Sequence, residues 1–210
     1  QTILENFKIP YTHSGAIASS IAMDKEISKK IFIKNKIQTP KYITYSYDIS
    51  KFNLIKKIKK NLKFPVVVKP LNEGSSVNVY ICNQKNIFKI LNSIQNYKKI
   101  IIEEFIGGRE IQVAIMGNKK LGAIELKPKR KFYDYKAKYN LSANTEHIIP
   151  VKLSDYKLGR LLNIAYKAHK IIGCKGITRS DFKFYKEKFY LLEINTQPGM
   201  TKLSLVTEIA

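Results

Sequence analysis

Arginine is scarce in this chain: only Arg109, Arg130, Arg160 and Arg179 stand among 38 basic residues. Proteins that read bases lean on arginine for bidentate contacts, and the lysines here are spread along the chain instead of forming a stripe. The formal charge of +22 therefore favours anionic partners such as nucleotide phosphates more than a dedicated nucleic-acid role. Cysteine is limited to Cys82 and Cys174, far apart and in apolar stretches. That spacing excludes a zinc knuckle or a redox pair and reads as two reduced packing residues. No apolar run approaches the roughly 18 to 20 residues that span a bilayer. Gln1 to Pro10 has neither a basic n-region nor an apolar h-region, so a soluble, cytoplasmic protein is expected. Gly-Lys-Ser and Gly-Lys-Thr are absent, which disfavours a P-loop kinase or ATPase. Repeats and low-complexity linkers are missing too.

What is present suits a globular fold of one large domain or two small ones, with 210 residues and 44% hydrophobic content. Helical spacing of Ile17, Ile21, Ile27 and Ile31 predicts one helix over 16–36, stopped at Thr39-Pro40. Residues 51–62 repeat the pattern, with Phe52, Ile55, Ile58 and Leu62 on one face and lysines on the other. Strands are expected over 65–69 and 77–81 around the turn-rich 72–76, and over 99–105 up to Gly107-Gly108. A helix is expected over 86–97. Residues 109–116 and 120–126 read as a hairpin across Gly117-Asn118. Residues 127–150 are polar and aperiodic, as functional or disordered loops are. A helix over 154–172, with Ser154 as N-cap and Gly173 as stop, precedes strands over 176–184 and 189–194. Antiparallel-looking strand pairs with flanking helices argue an α+β fold and not a β-α-β wind.

Three constellations bear chemistry. Lys69 at a strand end, followed by Asn72-Glu73-Gly74-Ser75-Ser76, reads either as a phosphate cradle of backbone N–H groups or as a plain hairpin turn. Glu193 and Asn195, two apart on a strand, face one side, and a neighbouring strand can add Asp181. Two carboxylates and an amide oxygen are hard ligands suited to Mg²⁺, and among apolar neighbours such carboxylates are costly without a cation. Arg179 shares the Asp181 face, where it either counters charge developing in a reaction or pairs with one of those acids. Glu103, Glu104 and Glu110 bracket Gly107-Gly108, where carboxylates can accept from an adenine amino group or ribose hydroxyls. The aromatic-rich Phe132 to Tyr139 reads as a base-stacking segment or as a lid. His13, His147 and His169 receive no metal or base role.

In this order the segments resemble the D-alanine–D-alanine ligases of the ATP-grasp superfamily across essentially the whole chain. Pro10-Tyr11-Thr12-His13-Ser14-Gly15 with Ala22-Met23-Asp24-Lys25 is similar to the opening of that family's central domain, and Lys25 and Lys69 match its two ATP-phosphate lysines. Glu73-Gly74-Ser75-Ser76 resembles the serine loop, where Ser75 positions substrate. Glu103-Glu104-Phe105-Ile106 with Glu110 resembles the adenine and ribose strand. Phe132 to Tyr139 is similar to the ω-loop, Lys138 matching a phosphate lysine and Tyr139 a tyrosine that bonds toward the serine loop. The Lys138-Tyr139 pair looks like the dipeptide-forming branch. Arg179-Ser180-Asp181 and Glu193 to Thr201 resemble the most specific motifs. By that correspondence Asp181, Glu193 and Asn195 hold two Mg²⁺ (or Mn²⁺), Arg179 and the Gly199 amide stabilise an oxyanion, and Ser204 and Leu205 grip the second D-alanine.

The resemblance implies two α+β subdomains clasping ATP between antiparallel sheets. Residues 1–15 are then a remnant of the N-terminal lobe and linker, 16–102 the central subdomain, and 103–210 the catalytic subdomain with its ω-loop over 128–147. It further implies ligation of two D-alanines for peptidoglycan synthesis, no nucleic-acid or membrane partner, and a homodimer. The family's N-terminal lobe with its Gly-Glu-Asp-Gly signature is expected to be absent, as is its last helix. Asn78 stands where the family usually has glycine, which is expected to tighten the turn after the serine loop. Two alternatives stand beside this reading: another ATP-grasp carboxylate-amine ligase, and a non-enzymatic basic binding module.

Overall fold

The computed structural model describes residues 1–47, 50–74, 77–127, 145–201 and 204–210. They form two compact units. The larger takes the described residues of Gln1–Thr39, Gly107–Lys131 and Asn144–Ala210, and the smaller takes those of Pro40–Ile106.

In the larger unit, helices α1 (Thr2–Asn6), α2 (Ala16–Met23) and α3 (Lys25–Lys34) come first. Helical spacing alone favours one continuous helix over 16–36, but it breaks at Asp24. There the backbone is extended (φ −81°, ψ 105°), and the Asp24 carboxylate accepts from Glu26 N and Ile27 N, both at 2.9 Å. An aspartate that satisfies two orphan N–H groups starts a new helix more favourably than it continues an old one. The break leaves Lys25 as the first residue of α3, with its side chain buried.

The sheet of this unit has the order β7-β6-β5-β8-β9, every neighbour antiparallel. Its strands are β5 (Arg109–Met116), β6 (Lys119–Lys127), β7 (Glu146–Ile148), β8 (Ile177–Tyr185) and β9 (Lys188–Asn195). The long α6 (Asp155–Ile172) ends at Gly173 in the left-handed region (φ 79°), as the sequence indicates. One sheet face is apolar: Ile111, Val113, Phe182, Leu191 and Ile194 are buried against Ala18, Phe32, Leu161, Ala165 and Ala168 from α2, α3 and α6. Alternation of side chains along a strand sends the intervening residues to the opposite face. Gly176 (φ 60°) closes the loop before β8, and a Cβ there would lie 1.7 Å from Thr12 O. Only glycine allows that approach of two backbones. The short α7 (Leu205–Ile209) follows Ser204.

The smaller unit is a second antiparallel sheet, order β1-β4-β2-β3, made of β1 (Tyr42–Ser46), β2 (Val66–Pro70), β3 (Tyr80–Cys82) and β4 (Lys99–Glu104). Helices α4 (Lys51–Asn61) and α5 (Ile87–Ser93) cover one face, with Leu54, Ile58, Ile87 and Leu91 packed on Ile43, Val66, Val68, Ile100 and Ile102. Asn78 takes a left-handed backbone (φ 52°), a conformation asparagine tolerates better than most residues. Its amide bridges Tyr97 Oη (2.7 Å) and Tyr80 Oη (3.0 Å).

Residues 16–39, grouped by the sequence with 40–102, belong to the larger unit and contribute to its hydrophobic core, and the chain passes between units at 39/40 and at 106/107. Among the described residues no helix is long and apolar enough to cross a membrane.

Candidate active site

The polar face of the larger sheet carries the residues singled out in β8 and β9. In the ladder Asp181 lies opposite Glu193 and Arg179 opposite Asn195, so the four occupy the corners of one square. A β-bulge makes this possible. The register shifts between Asp181 and Phe182, pairing Phe182 with Leu191 and leaving Leu192 as an extra residue. Strict alternation would put Leu191 on the side of Glu193; the extra residue lets Phe189 and Leu191 enter the core while Glu193 and Asn195 face away from it.

Arg179 holds Asp181 in a two-pronged ion pair, Nε to Oδ1 at 2.8 Å and Nη2 to Oδ2 at 3.0 Å. Of the two sequence readings of Arg179, its pairing with an acid of the cluster is thus realised here. Asp181 is 4% exposed, a burial a carboxylate sustains only beside a cation. Lys25, brought in by the start of α3, places Nζ 3.9 Å from Glu193 Oε2. The Asn195 side-chain oxygen accepts from Gln197 N at 3.0 Å.

The next strand extends the same face. Gln112 lies opposite Asp181 and Glu110 opposite Lys183. Lys183 Nζ donates to Glu110 Oε2 at 2.9 Å, with both side chains largely buried. Gln112 is 1% exposed, and among the described residues its Oε1 has no hydrogen-bond partner. Beyond it on β6, Ile124 and Leu126 lie opposite Gln112 and Glu110 and are buried. Sequence reasoning missed Lys183, Gln112, Ile124 and Leu126 as parts of this face. Each becomes visible only through cross-strand register.

These donors suit a hard divalent cation. Among the described residues no three His, Cys, Asp or Glu side chains gather at one point, so a cation here relies on two carboxylates plus the Asn195 amide oxygen. Oxygen donors of that kind, with remaining positions left for water or phosphate, are what Mg²⁺ accepts. The buried Gln112 oxygen beside Asp181 is a further acceptor with no donor among the described residues, which fits a face built for positive charge.

In the smaller unit, Lys69 Nζ lies 2.9 Å from Glu103 Oε2, with the side chains 10% and 3% exposed. Both project from the sheet face away from α4 and α5, since Val66, Val68 and Ile102 fill the helix side. Glu104 points to the other side, where Oε1 accepts from Lys63 N at 3.2 Å. Its own N–H donates to Lys41 O at 2.9 Å, and Phe105 N donates to Pro65 O at 3.1 Å. The structure therefore brings Glu103 to Lys69 and separates Glu104 from both. Phe105 and Ile106 are half-buried. Ser75, Lys138 and Tyr139, with residues 128–144 of the ω-loop, lie outside the described residues.

Gly199 and Ser204 meet at the turn after β9. A Cβ on Gly199 would sit 2.9 Å from Ser204 Oγ, which accepts from Thr201 N at 3.0 Å. Leu205, half-buried, begins α7. The histidines lie elsewhere: His169 Nδ1 contacts Thr178 Oγ1 (2.8 Å) in the core, His147 meets Glu208 (2.8 Å), and His13 packs edge-on to Tyr11. Cys82 and Cys174 are free, buried thiols that burial pushes up to about 11.

A family model described as the C-terminus of D-ala D-ala ligases matches residues 31–210. The chain belongs to the D-alanine–D-alanine ligase family. It is 73% identical, over all its residues, to a D-alanine–D-alanine ligase of Pelagibacter ubique (strain HTCC1062), of which it covers 69%. A crystal structure of the D-alanine–D-alanine ligase from Bacillus anthracis superposes on 99% of this chain with a TM-score of 0.85 at 33% identity, and 67% of that protein is covered. The Bacillus anthracis enzyme complexed with ATP gives a TM-score of 0.82 at 28% identity, with 99% of this chain and 66% of that protein covered. The chain thus spans about two thirds of the length of these relatives. Its α+β fold of two antiparallel sheets is the ATP-grasp fold, and its enzyme class is that of its family, the carbon–nitrogen ligases.

Proposed function

We propose that the protein joins two D-alanines at the expense of ATP, through an acyl phosphate, and that the residues gathered above do the work. The observation that carries this reading is the square of Arg179, Asp181, Glu193 and Asn195 with Lys25 at its edge. It sets hard oxygen ligands and cations on one rigid sheet face.

In the first step, a carboxylate oxygen of one D-alanine attacks the γ-phosphorus and ADP departs. Phosphoryl transfer depends on positioning and charge neutralisation more than on covalent help from the protein. Lys25, Lys69 and Lys138 bind the phosphate oxygens, and Glu103, Glu104, Phe105, Ile106 and Glu110 serve the adenine and ribose end. Glu104 reaches the base only through its backbone, because its carboxylate caps Lys63 N. Asp181, Glu193 and Asn195 would hold two Mg²⁺ (or Mn²⁺), which when bound neutralise phosphate charge. In the second step, the amine of the other D-alanine, held by Ser204 and Leu205, attacks the acyl carbon. The tetrahedral oxyanion is met by Arg179 and the Gly199 amide before inorganic phosphate leaves. Asp181 pre-orients the guanidinium for that task, and such preorganised donors need no rearrangement as charge develops. Ser75 and Tyr139 position substrate.

The reading extends to a cytoplasmic place in peptidoglycan precursor synthesis and to a homodimer. Phosphate release from Mg-ATP across an amino-acid panel tests the core of it. Release that depends on D-alanine alone supports it; equal release with an unrelated acceptor would move the protein to another carboxylate-amine ligase. Thermal stabilisation by Mg-ATP, with no salt-sensitive oligonucleotide binding, separates both from a basic binding module.

A further inference from the structure

We propose that Lys183 is a nucleotide-positioning residue, which fixes Glu110 by ion pairing so that its carboxylate is presented to the ribose hydroxyls. The inference rests on the reading of Glu110 as the ribose acceptor.

Lys183 and Glu110 are direct cross-strand partners on the face that carries Asp181. Their contact is 2.9 Å, and the side chains are 15% and 12% exposed. Lysine is seldom held so far from water, and an ammonium pays for that only when it meets an anion in fixed geometry. The pairing engages Oε2 of Glu110; among the described residues Oε1 has no side-chain donor. One oxygen is therefore anchored and the other is left to accept. The neighbours reinforce the placement. Leu126 lies opposite Glu110 on the other side of β5, buried and without a hydrogen bond to offer, so among the described residues Lys183 is the cation that holds this carboxylate from within the sheet. Without Lys183, Glu110 would be a charged group in apolar company, and it would turn toward water or take up a proton. Either response removes it from a ribose.

The test compares the affinities of ADP and 2′,3′-dideoxy-ADP, measured by titration calorimetry with Mg²⁺ on the full-length protein. Loss of charge-assisted hydrogen bonds to the hydroxyls should weaken the dideoxy form about ten- to a hundredfold in the unmodified protein. In Lys183→Met, ADP binding should fall to the dideoxy level, bringing the ratio near one. Lys183→Arg should restore the ratio, and dideoxy-ADP should bind all of these alike. A general loss of structure would weaken both nucleotides together and overturn the proposal. If Lys183→Met keeps the ratio while Glu110→Gln abolishes it, Lys183 is not a positioning residue, yet the ribose role of Glu110 stands. If Glu110→Gln also keeps the ratio, the ribose reading itself falls. Lys183→Gln replaces the methionine variant if that does not fold, and the same ratio decides.

Discussion

Arg179 and Asp181, two residues apart on β8, are joined by two parallel hydrogen bonds of 2.8 and 3.0 Å. The arginine is thereby both the counter-charge of a metal-ligand candidate and the oxyanion donor candidate. Removing it touches two functions at once. Arg179→Ala is expected to lower turnover about 10²- to 10³-fold, the usual cost of losing one oxyanion donor, while ADP binding survives. Arg179→Lys should not rescue turnover, since an ammonium cannot reproduce the planar fork. Phosphate release and ADP calorimetry on the same preparations check both. Near-normal release in the alanine variant would remove Arg179 from the mechanism.

Lys69 and Glu103 form a pair still more deeply withdrawn from water, at 10% and 3% side-chain exposure. Lys69→Met should therefore destabilise the fold by about 3–5 kcal/mol, because the carboxylate loses its cation in a buried setting. The double change Lys69→Met, Glu103→Leu should recover much of that loss while still impairing nucleotide binding. Urea denaturation gives the first quantity and ADP calorimetry the second.

His169 connects burial to pH. Its imidazole sits in the core against Thr178, and burial, helped by the Lys170 charge, holds its affinity for protons below the ordinary value. The unfolded chain then binds more protons than the folded one, so stability increases with pH across this titration. The contribution is complete above about pH 6.5, the ordinary histidine value, and is lost as pH falls through the lower folded value. Melting temperatures of the wild type and His169→Gln between pH 5 and 8 should converge toward the acid end. A constant difference would show that His169 titrates alike in both states.

Gly176 offers a purely steric test. Its Cβ would sit 1.7 Å from Thr12 O, at φ 60°. Gly176→Ala should cost upwards of about 2 kcal/mol or prevent folding, whereas Gly159→Ala, in open space on α6, should stabilise slightly. Thermal melts of the two variants make the comparison.

Local sequence carried much of this architecture because its signals are local. The periods of 2 and 3.6 located β5, β6, β8, β9 and α6 nearly to the residue. The i, i+2 rule put Glu193 and Asn195 on one face, and the ladder shows Asp181 opposite Glu193. What was hidden depends on through-space relations. Strand β1, Tyr42–Ser46, mixes tyrosine, threonine and serine, so its burial stems from pairing with β4 and not from an apolar run of its own. The split of the first long helix turned on one aspartate caught between two roles. The Glu110–Lys183 and Lys25–Glu193 contacts link residues 73 and 168 positions apart, respectively, a distance no window of sequence spans.

The extra residue at Leu192 has a consequence for anyone editing this chain. It works as a phase shifter: upstream of it odd-numbered side chains belong to oil, downstream they belong to salt and water. Deleting it would leave every neighbouring residue chemically intact and yet send Glu193 and Asn195 through the sheet to the wrong side. The cluster is thus guarded by spacing as much as by composition, and a single-residue deletion there should be as damaging as replacing Glu193 and Asn195 together.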